Sequence, residues 1–510
     1  MASTQLTTPL PAQDLSASRR AAALVALTLP VLLISVDNTV LGFAVPALSE
    51  ALEPTSAQLL WIVDVYSFVL SGLLVTMGNL GDRIGRRRLL LLGAACFSAA
   101  SAAAAFAPNA NTLIVARAAL GFAGATLMPS TLSLIRNIFV DPVQRQFAVA
   151  VWSAMFAVGG ALGPIVGGLL LEHFWWGSVF LIGVPVTCAL IVLGPLLLPE
   201  SRDPDPGPFD LRSSGLSMLT MFPAVYAMKH VAEHGWTWTP LGAITISSIA
   251  GALFLRRQRI LESPMIDVSL FSVRRFRSAI AANLAACFGF AGTMFFITQY
   301  LQLVVGMSPV RSGLQLLPAV AVSIVFTLLA PEIARRVGAF TTVAGGLTVA
   351  AVGFLLLAQV DATGSVPTAT VAVAVLSGGV GVAMTVAVDA IVSVIPPAKA
   401  GAGASISETA AELGIALGTA VLGSILTAVY RDDLDDSVPG VPADAVDRAR
   451  ETLGAATQTA AELGDTAGRI LRDTANAAFT NGVRIGALVA AFVLTTIGWW
   501  TARSARARAR

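Results

Sequence analysis

Fourteen apolar stretches of 18 to 29 residues punctuate this chain of 510 residues. They run over 21–46, 57–78, 88–107, 112–137, 146–171, 176–198, 213–233, 238–255, 278–304, 312–334, 340–360, 367–395, 402–429 and 481–502. A helix needs roughly 20 apolar residues to cross the hydrocarbon core of a bilayer. Fourteen such segments use more than half the chain and leave little for a soluble domain. Charge agrees: 12% of residues are Asp, Glu, Lys or Arg, against about 25% in soluble domains. The first stretch is too long for a signal-peptide core and has no obvious cleavage site, so it reads as a retained helix. The predicted fold class is an all-α polytopic membrane protein of the cell membrane.

Arginine and lysine orient the spans, because short cytoplasmic loops carry the basic excess. With the N-terminus inside, the cytoplasmic segments hold 23 of the 32 basic residues. Short outer loops hold two, Lys229 and Arg311. Both termini are therefore expected to be cytoplasmic, with a basic tail (503–510) facing anionic lipid. The long outer segment 431–480 begins acidic and proline-broken. From Ala443 to Ala478 it is alanine-rich with few breakers and predicts helix, as either a linker or a lid.

Cys96, Cys188 and Cys287 all fall inside apolar stretches, which suggests neither a metal site nor a disulfide framework. His173, His230 and His234 lie near outer loops, so a histidine relay across the membrane is not expected. No phosphate loop or nucleophile–base set argues for an enzyme, and nucleic-acid binding has no support beyond the basic tail. No cofactor or metal is expected.

Two patterns repeat. In 146–171, Gly159, Gly163 and Gly167 recur every four residues on one helix face, with Gly160, Pro164 and Gly168 beside them. Small residues at that period let two helices approach closely in lipid. Gly414 and Gly418 in 402–429 form a weaker copy. The run Gly78-Asn-Leu-Gly-Asp82-Arg83-Ile-Gly85-Arg86-Arg-Arg88 after the second span is echoed by Arg335-Arg336-Val-Gly338 after the tenth. The copies align if 213–233 and 238–255 are an insert between two six-helix halves. The predicted division is 1–20 (N-terminal segment), 21–198 (first half), 199–277 (linkers and two extra helices), 278–502 (second half) and 503–510 (tail). Duplicated halves around a central site are a transporter architecture.

The motifs resemble those of the major facilitator superfamily, in particular its fourteen-helix drug:proton antiporters. Gly78 to Arg87 resembles the hinge motif. Residues 113–124, with Arg117, resemble a motif of the fourth helix. Gly163-Pro164-x-x-Gly167-Gly168 resembles the antiporter motif of the fifth helix. Asp37-Asn-Thr39, with Pro46, and Ser407-Glu408-Thr409-Ala-x-Glu412-Leu413-Gly414 resemble motifs of the fourteen-helix branch. The resemblance implies a functional monomer that exports lipophilic cationic compounds, such as quaternary ammonium biocides, dyes and fluoroquinolones, in exchange for protons. It also implies that Asp82, Arg83 and Gly85 stabilise the outward-facing state. Some relatives carry an acid in the tenth helix; Ser312 to Ala330 has none. An exporter of an endogenous lipid or metabolite is the alternative.

Ionisable groups inside a bilayer are costly and point to function. Five acids fall within spans, Asp37, Asp64, Asp389, Glu408 and Glu412, against Arg117 as the one base clearly inside. An interior of low dielectric will not hold that negative excess unless protons or a bound cation balance it. A rise of about 1.5 Å per residue puts Asp37, Asp64 and Arg117 in one outer layer, with Glu408 and Asp389 nearer the inner face and Glu412 near the midplane. Glu408 and Glu412, at i and i+4, share a helix face and are expected to titrate as a coupled pair. Asp37 reads either as the structural partner of Arg117 or as a proton or cation site; the second reading is preferred. Asp64 and Asp389 read equally as sites or as solvated groups near helix ends. Asp82 is expected at the start of the third helix, where the dipole favours a carboxylate, or paired with an arginine of a neighbouring helix.

Overall fold

The computed structural model describes residues 16–204, 210–234, 237–262, 264–362, 364–434 and 438–506. Among them the regular structure is entirely helical, the arrangement that satisfies backbone groups within each segment where water is absent. The order is α1 (Ala17–Leu52), α2 (Ser56–Ile84), α3 (Arg86–Ala105), α4 (Ala110–Ile138), α5 (Pro142–His173), α6 (Ser178–Leu181), α7 (Gly183–Leu197), α8 (Leu211–His234), α9 (Trp238–Ile260), α10 (Arg274–Gln299), α11 (Pro309–Val337), α12 (Ala339–Leu357), α13 (Val366–Val394), α14 (Ala400–Asp433), α15 (Ala443–Ala449), α16 (Leu453–Leu463) and α17 (Asp465–Arg506).

Local chemistry sets the helix starts. Thr55 accepts from the Gln58 N–H while the Gln58 side chain reaches back to the Thr55 N–H, a capping box. Asn109, Asp141 and Ser308 likewise cap α4, α5 and α11, with proline following directly at Pro142 and Pro309.

Thirteen helices among the described residues are long and apolar enough to cross a membrane, α6 and α7 together counting as one. Helix α8, expected from the sequence as the seventh span, forms but is not among the thirteen. Its sequence carries Arg212 near one end and Ser213, Ser214, Ser217, Thr220 and Pro223 within, which lowers its hydropathy. Its foot is polar and anchored. Arg257 donates to both carboxylate oxygens of Asp210 (2.8 and 3.0 Å), and Gln258 donates to Ser213 Oγ (2.7 Å). The guanidinium holds the Asp210 carboxyl well below the usual carboxylate range.

The chain forms two compact units. The first comprises Met1–Phe222, Ile246–Phe276 and Val388–Thr409; the second comprises Pro223–Thr245, Arg277–Ala387 and Ala410–Arg510. In the first unit α1 packs on α5 and α7, α2 on α4, and α3 on α4 and α7. The predicted glycine face of α5 is the seam with α1. A Cβ on Gly159 would lie 2.5 Å from Ser35 Cβ, one on Gly163 would overlap Thr39, and one on Gly167 would lie 2.6 Å from Val40. Gly160, off the seam, faces open space, and Gly168 is half-buried. In the second unit Gly414 and Gly418 of α14 abut the backbone of α10 at Leu284 and Phe288. The fifth span of each predicted half thus packs on the first through glycines.

The second unit also absorbs most of the long outer segment. Predicted as one helical stretch, 443–478 is α15, α16 and the start of α17, interrupted at the Thr452 cap and at Gly464 with φ 84°. Val446, Ala449, Leu453, Ala456 and Leu471 are buried in the core of that unit. Tyr430 at the end of α14 donates to the Ala449 carbonyl at 2.8 Å. The segment is therefore a packed element rather than a bare linker. Arg503 lies over the Trp499 ring at 3.8 Å. Residues 507–510 of the predicted tail, with Arg508 and Arg510, and most of the N-terminal segment lie outside the described residues.

Candidate functional site

The outer acid of α1 and the basic residue of α4 meet. Arg117 Nη1 donates to Asp37 Oδ2 at 2.8 Å, and the two residues are 1% and 6% exposed. Arg117 also donates through Nε to the Ile62 carbonyl at 3.2 Å and lies over the Tyr66 ring at 4.6 Å. A buried guanidinium without a carboxylate would carry a heavy desolvation cost, so the pair holds both charges in place. Of the two readings of Asp37, the structure shows the partnership. Asp64 of α2 is buried as well, which removes its reading as a solvated surface group.

Nearer the other end of the same unit, Arg145 at the start of α5 donates through Nε to Asp389 Oδ1 of α13 at 3.0 Å, both residues being buried. Asp389 is thus neither wet nor isolated. The sequence reading placed Arg145 in a cytoplasmic loop, one residue before the span began. Glu408 of α14 is buried and Glu412 half-buried, four residues apart on one helix. Arg117 was already in the sequence count; Arg145, which was not, offsets Asp389 and makes the negative excess smaller by one charge.

Of the two expectations for Asp82, the structure shows the pairing with an arginine of a neighbouring helix, Arg86 of α3. Asp82 lies in the last turn of α2, not at the start of α3. Its carboxylate accepts from Arg86 Nε (2.9 Å) and Nη2 (2.7 Å), and from the backbone N–H groups of Gly401 (2.8 Å) and Ala402 (3.1 Å). The helix start it caps is that of α14. Arg86, 1% exposed, also donates to Ser201 Oγ (2.7 Å) and the Pro397 carbonyl (3.0 Å). Gly78 permits the approach, since a Cβ there would lie 2.5 Å from the Gly401 carbonyl oxygen. Gly85, with φ 111°, makes the turn between α2 and α3. Arg83 is half-buried.

The carboxylate at the start of α3 is Glu200. It accepts from the backbone N–H groups of Arg87 (3.1 Å) and Arg88 (3.3 Å), satisfying donors that a helix start leaves open. Asp82 is held in the final turn of α2, where Arg86 closes over it, and an acid from beyond α7 reaches the α3 start. Among the described residues no group of three His, Cys, Asp or Glu side chains could hold a metal.

Comparison with known proteins fits this geometry. A family model described as Major Facilitator Superfamily matches residues 27–419. The multidrug efflux pump LfrA of Mycolicibacterium smegmatis is 49% identical over 485 residues, 95% of this chain and 96% of that protein. The methyl viologen resistance protein SmvA of Salmonella typhimurium is 34% identical over 481 residues, 94% and 97% of the two chains. Among solved structures, the human organic anion transporter MFSD10 superposes with a TM-score of 0.60 at 16% identity, over 94% of this chain and all of that one. A bacterial homologue of the human lysosomal transporter Spinster superposes with a TM-score of 0.57 at 17% identity, over 96% and 98%. At such identities these two structures speak for the fold alone.

Proposed function

The chain belongs to the major facilitator superfamily as a multi-pass membrane transporter, and from that premise we propose that it exports lipophilic cations from the cell in exchange for protons. The observation that carries the reading is the set of acids in its interior. Asp37, Asp64, Asp389 and Glu408 are buried, which a passive membrane scaffold would not need. The efflux and resistance names of its relatives support the direction and the class of substrate.

Asp37 and Glu412 divide the work in this reading. Asp37, paired with Arg117, offers its carboxylate to a cation that competes with the guanidinium. Glu412, half-buried beside Glu408 on the same helix, is the exchangeable proton site. The halves alternate access as drug and proton displace each other. The contacts of Asp82 and Arg86 with the start of α14 act as a latch that opens and closes on the cytoplasmic side.

Stoichiometry sets the driving force. One proton for one monovalent cation moves no net charge and draws only on the pH gradient, about 1.4 kcal/mol per unit. A second proton adds the membrane potential, about 2.3 kcal/mol per 100 mV. Two protons per monovalent cation make export electrogenic, whereas two protons for a divalent cation again move no net charge.

The test is ethidium efflux from proteoliposomes holding wild type, Asp37→Asn or Glu412→Gln, with and without a pH gradient. Gradient-dependent export by wild type that either variant loses, while inserting normally, supports the reading. Absence of gradient-dependent dye movement in wild type would overturn it and favour an endogenous lipid or metabolite as cargo.

A further inference from the structure

We propose that the groove between α11, α12 and α13 binds an anionic phospholipid, with one acyl chain in the groove and the headgroup at Arg335 and Arg336. The groove encloses about 600 Å³. Its walls are aliphatic, aromatic and glycine surface, from Val322 and Phe326 of α11 through Gly345 of α12 to Val371 and Gly378 of α13. Its polar lining side chains are two threonines, Thr341 and Thr342, and Thr342 Oγ1 is already bonded to the Gly338 carbonyl at 3.0 Å. Nothing in these walls would hold a cationic headgroup or a sugar. A hydrocarbon chain is what they fit.

Length and charge choose the chain's owner. Along α11 the lining runs from Val322 to Val337, about 22 Å at 1.5 Å per residue. One leaflet of a bilayer is about 15 Å of hydrocarbon, half of the roughly 30 Å core, so a single acyl chain of one leaflet fits within the groove. At the Val337 end stand Arg335 and Arg336, whose side chains are 60% and 75% exposed. Both pair with Glu332, and two guanidiniums against one carboxylate leave a net positive charge with N–H donors to spare. That charge repels a lipophilic cation and attracts a phosphate. The occupant is therefore not the drug cargo but a lipid such as phosphatidylglycerol, in the leaflet that the arginine bias makes cytoplasmic.

Gly345 offers a clean test, because a Cβ built there meets nothing within 4 Å. Gly345→Leu should fill the groove without disturbing the helices that line it. The full chain in detergent is titrated with phosphatidylglycerol and, separately, phosphatidylcholine of the same acyl chains, and bound lipid is counted by native mass spectrometry. Helicity and gel-filtration profile are checked for each variant. Wild type should prefer phosphatidylglycerol by about fivefold, the worth of one net basic charge at a lipid surface. Arg335→Gln with Arg336→Gln should abolish the preference and keep the lipid. Gly345→Leu should lose the tightest-bound lipid of either kind. Equal binding of the two lipids by wild type, or no change in Gly345→Leu, would overturn the proposal. So would displacement of the bound lipid by a long-chain quaternary ammonium compound, which would give the groove to the cargo. These readouts do not involve transport, so they stand or fall apart from the efflux assay.

Discussion

The turn from α2 to α3 and the turn from α11 to α12 are built on one plan and carry different loads. Each ends its first helix with a glycine of positive φ, Gly85 at 111° and Gly338 at 91°. Each of these glycines donates its N–H back to the carbonyl four residues earlier, at 3.1 and 2.9 Å. An arginine stands two residues before each, Arg83 and Arg336. Beyond that they part. At the first turn Asp82 and Arg86 are buried and bonded to the start of α14, and Glu200 caps α3. At the second, Glu332 pairs with two exposed arginines, and the N-cap residue of α12, Gly338, makes no side-chain cap bond of its own. The shared part is what two antiparallel helices need for a tight reversal. The buried acid and its partners are the addition, and the latch role is assigned to them for that reason.

The largest effect is expected where the two turns differ most. Arg86→Ala leaves Asp82 buried without its cation, and loss of one partner of a buried pair costs about 3–5 kcal/mol. Thermal unfolding should register that loss, and ethidium export should fall to background. At the other turn Ala339 stands where Arg86 does at the first, and truncating its nearest basic residue, Arg336→Ala, should leave both unchanged. Exchanging Asp82 and Arg86 should not restore function, because Asp82 also accepts from the Gly401 and Ala402 N–H groups, which an arginine cannot do. Recovery in the exchanged protein would reduce the latch to a simple ion pair.

A second test separates the shared turn from its additions. Gly85→Ala and Gly338→Ala each force an alanine into a glycine conformation, roughly 1–3 kcal/mol. At Gly85 the new methyl also meets the Glu200 carboxylate, 2.7 Å away, whereas at Gly338 its nearest neighbour is Thr341 Oγ1 at 4.0 Å. Gly85→Ala should therefore lower the melting temperature further, by the added loss of the α3 cap. Equal shifts would mean that Glu200 moves aside at no cost. Glu200→Gln isolates that cap and should cost about 1 kcal/mol, with export slowed rather than lost.

How far the sequence carried these distinctions depends on distance along the chain. Hydropathy alone located the spans, because each crosses the bilayer on its own residues. The α5 glycine face was legible because its period lies in one helix, and its partner α1 was not named. The pairing of Asp37 with Arg117 was open to inference from depth, both being counted from the same side. Arg145 was lost at a boundary: one residue outside an apolar stretch reads as loop, yet α5 begins at Pro142. Glu200 and the Gly401–Ala402 N–H groups left no readable signal. They reach Arg87 and Asp82 across 113 and more than 300 residues, and backbone donors have no side chain to mark them. Helix α8 forms over the predicted seventh span, Leu211–His234.

The smallest effect belongs to Glu332, and it bears on both turns. Its carboxylate faces solvent and its two arginine partners are more than half exposed, where ion pairs contribute little. Glu332→Gln should leave melting temperature and ethidium export as in wild type, in contrast with any change at Asp82. It should nonetheless alter one property. Removing the carboxylate frees both guanidiniums and raises the net positive charge at the end of the α11–α13 groove. The preference for phosphatidylglycerol over phosphatidylcholine should therefore rise, in the direction opposite to the double glutamine variant of Arg335 and Arg336. A loss of export in Glu332→Gln would break the comparison, because the second turn would then carry a transport load like the first. An unchanged lipid preference would leave the two turns distinct and detach Arg335 and Arg336 from the headgroup.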